Sequence, residues 1–555
     1  MESTPRADAV SLEVFRHLLD AVTEEMGATL RRTAFSPNIK ERRDYSCALF
    51  NARGRVVAQG EHMPVHLGSM PRSLSAVLDA LGPLTLGDVA AVNDPFEGGT
   101  HLPDITLMTP VVVQSTDAAH HEERLGYLAA RAHHADVGGM SPGSMPLARE
   151  IHQEGLRIPP ILLVRAGKED LRLKRLILAN VRTPREREGD LDAQLAALHT
   201  GRRRLHQLAA SRGSDGVRRA MDELVAYADR LLAEGLGQVP DGTYTSQDVM
   251  EDDGFGSGPV PIRVRLEIRG DEATVDFSGS APQTPGGINA VAAITEAAVR
   301  YVIRCVLERH LGTPLPAGGG TFQRVSLVLP EGSVVNAQAP ASVAAGNVET
   351  SQRITDVLLA AFGQALPDLV PALSQGTMNN LTIGGRDPRS GKPFTYYETV
   401  AGGMGAGPTR PGLSGVHTHM TNSLNTPVEV LEHTYPLRVV RYGLRPYSGG
   451  LGRHAGGHGI RRDLRFLGPA QVTLLSERRV HGPAGAQGGG AGAPGENWLL
   501  GPDGTERALP SKVTLEVSGG DVLSIRTPGG GGWGPDRAPA APTKPTPKTR
   551  EDLAE

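Results

Sequence analysis

Two short apolar runs set close together constrain this chain more than any other stretch of it. The first, Ile105 to Val113, is broken only by Thr106, Thr109 and Pro110 and follows N-D-P-F-E-G-G-T-H-L-P-D. The second, Tyr127 to Ala132, leads directly into H-H-A-D-V-G-G. Both are strand-length and bounded by turn residues, so each predicts a buried strand. Paired as neighbours, they bring His101 and Asp104 on one chain end near His133, His134 and Asp136 on the other. Imidazole and carboxylate without thiolate suit a divalent cation such as zinc, manganese or iron. Successive strand residues face opposite ways, so His133 and His134 do not both enter one site while the strand continues. Gly138 and Gly139, just beyond, permit close backbone approach and are read as a substrate wall.

At 555 residues the chain is too long for one ordinary core, and two to four domains are expected. A net charge of −4 gives no electrostatic footprint for nucleic acid or an anionic membrane. No apolar stretch reaches bilayer length, and M-E-S-T-P-R-A-D lacks the pattern of a signal peptide, so a cytoplasmic location is expected. Cys47 and Cys305 are too few and too distant for a disulfide framework or thiolate metal site.

Leu12, Phe15, Leu19, Val22, Met26 and Leu30 recur at helical spacing, with Ser11 as the expected N-cap. A hairpin of strands is expected from Tyr45 to Ala58, then helices near Met70–Leu81, Asp170–Asn180 and Asp190–Gly235. Ile262 to Ile268 alternates strictly and turns at Gly270-Asp271, which predicts a second hairpin. Helices follow near Ala292–Leu307 and Glu349–Gly363. The whole reads as an α+β, mixed multi-domain protein with a helix-rich N-terminal half and a Gly-rich β-sheet C-terminal half. The expected divisions are 1–237, carrying the metal site and a helical arm; 238–375, an α/β middle; 376–535, the Gly-rich β part; and a disordered tail, 536–555.

Two phosphate-loop look-alikes fail on context. G-G-R-D-P-R-S-G-K-P has one residue too many between its glycines and a Pro where magnesium binding needs Ser or Thr. Gly450 to Ala455 mimics a dinucleotide fingerprint but follows no apolar strand. No nucleotide site is therefore expected on this chain. Asp44, at a strand start, is read either as a salt-bridge partner of Arg42 or Arg43 or as a further metal ligand. His62 and His66 flank Pro64, which argues against a shared helical face. H-T-H-M-T-N-S-L-N-T-P-V-E-V-L-E puts His417 and His419 on one face if it is a strand, and nominates His419, Asn422 and Asn425 as substrate-binding.

Taken together, N-D-P-F-E-G-G-T-H-L-P-D-I, H-H-A-D-V-G-G, N-x-R-x-P-x-E-R-x-G-D-L-x-A-Q, T-N-S-L-N-T-P-V-E-V-L-E, Y-P-L-R-V and T-P-G-G-G-G-W-G resemble the hydantoinase B/5-oxoprolinase family across about Asp8 to Asp536. The resemblance includes N-methylhydantoinase B-type subunits and extends to acetone and acetophenone carboxylase subunits. It implies a metal-bearing subunit in a hetero-oligomer with a hydantoinase A-type subunit. That partner uses ATP to phosphorylate a cyclic amide, and this subunit then hydrolyses the ring. Carried over, the metal ligands fall on Asp44, His101, Asp104 and His134. An uncoordinated carboxylate, Asp104 or Asp136, then takes the proton of the attacking water. A ketone carboxylase subunit and a scaffold with a structural metal are the alternatives.

Overall fold

The computed structural model describes residues 9–60, 63–114, 122–316 and 322–536. His62 and all but the first residue of the expected tail lie outside these residues. The helix expected near the N-terminus runs Ala9–Thr33, which places Ser11 inside it rather than at its cap.

A seven-stranded antiparallel sheet forms the frame of the first part. Its order is Val56–Gln59, Tyr45–Asn51, Glu122–His133, Asp104–Gln114, Val89–Val92, Ile161–Arg165 and Lys168–Glu169. Tyr45–Asn51 and Asp104–Gln114 flank Glu122–His133 on its two edges, so both apolar runs are central and buried on both faces. That burial explains why they read as near-continuous apolar segments rather than alternating ones. The long helix Pro184–Arg212 lies across one face and against the N-terminal helix. At Gly201 the side chains of Met26 and Leu128 occupy the space that any larger residue would need.

A second, four-stranded sheet, in the order Val325–Val328, Glu272–Asp276, Val260–Arg269 and Gly242–Met250, contains the strict alternation seen from Ile262 to Ile268. Its core is continuous with that of the first sheet. Two further sheets share a separate core between residues 380 and 526. The hairpin Asn380–Arg386 to Pro393–Glu398 turns through the phosphate-loop look-alike, where Asp387 Oδ1 accepts from Arg389 N at 2.8 Å. Mixed helix and sheet is thus the architecture, with one refinement. The richest glycine runs sit beside the C-terminal strands rather than in them. Gly529 to Gly532 thread between other backbones, with Gly450 N donating to Gly530 O at 2.8 Å and Ala406 N to Gly531 O at 2.9 Å. A Cβ at any of these four would strike a neighbouring carbonyl, so only glycine fits.

Ionic contacts bind the last part to the middle. Arg353, fully buried on the helix Ser351–Ala365, reaches Asp248 at 3.0 Å, Asp356 at 3.3 Å and Glu477 at 3.4 Å. Arg478 reaches Asp248 at 2.7 Å and Asp356 at 2.6 Å, and Lys512 reaches Glu477 at 2.5 Å. Among the described residues no helix is long and apolar enough to cross a membrane.

Candidate metal centre

The strand pairing decides which histidine enters the site. Asp104 sits directly opposite His133 in the antiparallel register, with Ile105 opposite Ala132. Facing residues of adjacent strands project to the same side of a sheet, and the next residue projects to the other. The Asp104 and His133 side chains therefore share a face, and His101, on the turn just before Asp104, joins them. One candidate ligand atom from each of His101, Asp104 and His133 lies within 4.8 Å of the others. The His101 and His133 rings stand 4.9 Å apart between centroids. Coordination bonds of about 2 Å bridge such a spacing with a small contraction.

His134 takes the opposite side. Its Nε2 lies 2.9 Å from Gln194 Oε1 on the helix Pro184–Arg212, while the Gln194 amide donates to the Ile105 and Ala130 carbonyls. The crevice beside its ring, lined by Ile105, Asp136 and Arg187, holds about 10 Å³. The register of this one strand pair thus brings His133, and not the expected His134, together with His101 and Asp104. Asp136 also stands apart. Its carboxylate accepts from Gly138 N at 3.1 Å, Gly143 N at 3.3 Å and the Arg182 guanidinium at 2.9 Å, so it ties a loop together. Gly138 and Gly139 adopt φ of 93° and 82°, and a side chain on either would run into the carbonyl of Asn180 or Glu154. They serve a tight turn rather than line the cluster.

Asp44 is buried at the same sheet end, and its carbonyl accepts from His133 N at 3.0 Å. Burial, against the downward pull of Arg42 and with a further push from Asp104, holds its carboxyl up at about 7. His66, which sequence reasoning left aside, approaches Asp104 Oδ2 at 3.4 Å and Ser46 Oγ at 2.8 Å. Thr100 Oγ1 donates to the same Asp104 oxygen at 2.6 Å. Burial alone would raise the Asp104 carboxyl, but the imidazoles of His101 and His66 hold it well below its ordinary range. Burial drives His133 well below the usual imidazole value, leaving a neutral ring.

Residues remote in sequence complete the walls. Tyr397 stacks on His133 at 4.2 Å, and Arg42 lies 4.5 Å over the Tyr397 ring. The Asn38 amide stands 3.1 Å from His133 Nδ1, and the Asn347 amide 3.1 Å from His101 Nε2. Asn347 rides on a single π turn, Gly346–Thr350, a local widening common at functional sites. Of these, only the parity of Asp104 and His133 left a trace in the sequence.

A divalent cation fits this donor set. His101 Nδ1, Asp104 Oδ1 and His133 Nε2 are buried without any hydrogen-bond partner. Three such orphans together would be costly in a site built only for packing. Neutral imidazole and ionised carboxylate are the forms in which these groups ligate.

Glu349, on the same π turn, is a fully buried carboxyl that burial pushes up to about 8 from 4.5. Its contribution to stability is full below its unfolded value and is lost as pH rises through 8. Glu349→Gln is therefore expected to raise the urea midpoint relative to the parent more at pH 8.5 than at pH 5. A gain that is equal at both pH values would show that this carboxyl titrates normally.

The loop nominated for substrate contains no strand. His419 lies on it with φ of 58°, half-buried; Asn422 is exposed. Asn425 is occupied, donating to Glu398 Oε2 at 3.0 Å and Thr399 O at 2.9 Å and accepting from Tyr442.

Residues 8–536 match the family model described as Hydantoinase B/oxoprolinase. The chain belongs to this family. It is 40% identical to 5-oxoprolinase 1 of Arabidopsis thaliana over 95% of this chain and 42% of that one. It is 34% identical to caprolactamase subunit beta of Pseudomonas jessenii over 96% of this chain and 92% of that one. The family member described here therefore spans about two fifths of the plant protein and nearly all of the bacterial subunit. The crystal structure of ATP-dependent caprolactamase from Pseudomonas jessenii superimposes with a TM-score of 0.87 at 31% identity, covering 97% of this chain and 93% of that one. Nucleotide-free acetone carboxylase shares the fold at a TM-score of 0.83 and 18% identity, covering 95% and 76%.

Proposed function

We propose that this chain is the metal-bearing subunit of an ATP-dependent cyclic amidohydrolase. It opens a lactam or cyclic imide ring that a hydantoinase A-type partner has phosphorylated on the amide oxygen. The observation that carries the reading is the convergence of His101, Asp104 and His133 with a partnerless donor atom on each. The relatives named as 5-oxoprolinase and caprolactamase subunit supply the reaction class. The P-loop look-alike is a hairpin turn, in keeping with nucleotide chemistry on the partner.

His101, Asp104 and His133 would hold the ion. When bound, it supplies Lewis acidity and lowers the pKa of water toward about 7. The chain's own groups do the rest. Asp104 stays ionised between His66 and His101, which fixes its orientation. Asp44, poised near neutrality by burial, takes a proton from the attacking water and returns it to the ring nitrogen. The water oxygen bonds to the former carbonyl carbon and the ring C–N bond breaks, leaving an acyl phosphate and the freed amine; a second water then hydrolyses the acyl phosphate and releases phosphate. An amino-carboxylic acid and inorganic phosphate remain. Tyr397, stacked on His133, restricts both that ring and the access of bulk water.

Purified chain, A-type partner, Mg-ATP and a panel of lactams test this directly. Ring opening is expected only when both proteins and ATP are present. Ring opening by this chain alone, or no turnover of any cyclic amide by the complex, would dismiss the reading. Bicarbonate-dependent ATP turnover on a ketone would replace it with the carboxylase alternative. Asp44→Asn should retain the metal while slowing ring opening by about 10²- to 10⁴-fold, the usual weight of a general base. Loss of metal in that variant would make Asp44 a ligand instead.

A further inference from the structure

The helix that carries Asn347 starts against a carboxyl group from a distant part of the chain. Helical backbone begins at Ala344, passes through the π turn Gly346–Thr350 and continues as Ser351–Ala365. The first N–H groups of a helix have no partner within it and need one from outside. Here Glu154 Oε1 accepts from Val343 N at 2.7 Å, from Ala344 N at 3.1 Å and from the Ser342 hydroxyl. Glu154 is fully buried and stands 188 positions from Ser342, so it is not a local cap but a tie between two segments. Ile151 N, on the same segment, donates to Pro340 O at 2.9 Å and reinforces the tie.

The backbone that follows Glu154 is fixed on the side of the metal centre. Leu156 N donates to Val137 O at 2.9 Å, and Ile158 N donates to Asn93 Oδ1 at 2.6 Å. The Asn93 amide donates in turn to Leu156 O at 3.0 Å and to Leu102 O at 2.7 Å, next to His101. On the helix side, the Asn347 amide stands 3.1 Å from His101 Nε2. Gly346 leaves that turn no room to slide, since even a Cβ there would strike the Asn289 carbonyl. Two segments thus meet at His101, and Glu154 joins them. The group beside the second ring nitrogen of a ligating histidine holds the ring in orientation. We propose that Glu154 is a positioning residue of the metal centre, holding the helix start so that the Asn347 amide keeps the His101 ring turned toward Asp104 and His133. Glu154 acts through Asn347 and is not one of the converging ligands. The inference rests on the reading of those three residues as the ligands.

Full-length protein loaded with Co(II) tests this by its visible absorption, which follows ligand geometry, and by the rate at which excess EDTA removes the ion. Asn347→Ala is expected to speed that loss by about 10- to 100-fold, the usual cost of losing the partner of a ligating histidine. Glu154→Ala should shift the Co(II) bands as Asn347→Ala does and speed loss by about tenfold. Because both act on one ring, the double variant should lose the ion within about twofold of the faster single variant. Should Glu154→Ala not fold, Ser342→Ala, which deletes one donor, carries the same test, with the same band shift and about threefold faster loss. A parental spectrum and rate in the variant that folds, or effects that multiply when it is combined with Asn347→Ala, overturn the proposal while leaving the metal reading intact. A parent that takes up no Co(II) removes the metal reading itself, and this inference with it.

Discussion

His133→Ala is expected to strip the protein of its divalent cation, whereas His134→Ala keeps it. The two residues are adjacent, equally buried and chemically identical, so the contrast isolates geometry. His133 faces Asp104 across the strand pair, and its Nε2 has no other partner. His134 faces Gln194 on the opposite side of the sheet. Losing a Lewis acid worth several kcal/mol of charge stabilisation should lower ATP-coupled ring opening by about 10³-fold or more in His133→Ala. His134→Ala leaves a buried amide oxygen without its donor and should cost about 1–3 kcal/mol of stability. Metal content by mass spectrometry, beside a denaturation curve for each variant, separates the two effects.

Arg353→Met should be among the most destabilising single changes in the molecule. The guanidinium is fully buried and faces Asp248, Asp356 and Glu477. Those three carboxylates pull its pKa up against the downward push of burial. Removing the cation leaves buried negative charges less compensated, although Arg478 and Lys512 remain. Breaking one side of such a buried pair costs about 3–5 kcal/mol. The helix Ser351–Ala365 that carries Arg353 begins where the Asn347 π turn ends. Loosening it is therefore expected to weaken metal retention as well, measured as faster loss of the ion to a chelator. A variant as stable as the parent would show that the remaining cations redistribute to cover the gap.

Much of the frame was legible because period and punctuation agree. The alternation at Ile262, Val264, Leu266 and Ile268 became a strand, and the paired runs at Ile105 and Tyr127 became neighbours. The sequence also showed that only one of His133 and His134 enters the site. It could not show which one. That choice depends on register, and register here passes through a bulge between Val111 and Val112, several residues from the site. A shift of one residue exchanges the faces. His66 was obscured because Pro64 looked like a helix breaker, whereas it opens a short helix, Pro64–Leu67, at a position where proline is favoured. Asn347 lies 246 positions from the histidine it touches, and no local pattern records such a meeting. Asp136 differs in another way. It stands in H-H-A-D beside the site histidines, while its hydrogen bonds go to the following turn and to Arg182.

Anomalous diffraction at a metal absorption edge, on crystals grown with zinc or manganese, tests the central claim most directly. The account predicts one strong peak about 2.0–2.2 Å from a ring nitrogen of His101, a ring nitrogen of His133 and a carboxylate oxygen of Asp104. A peak beside His134 on the other face of the sheet, or no peak between His101 and His133, would contradict it.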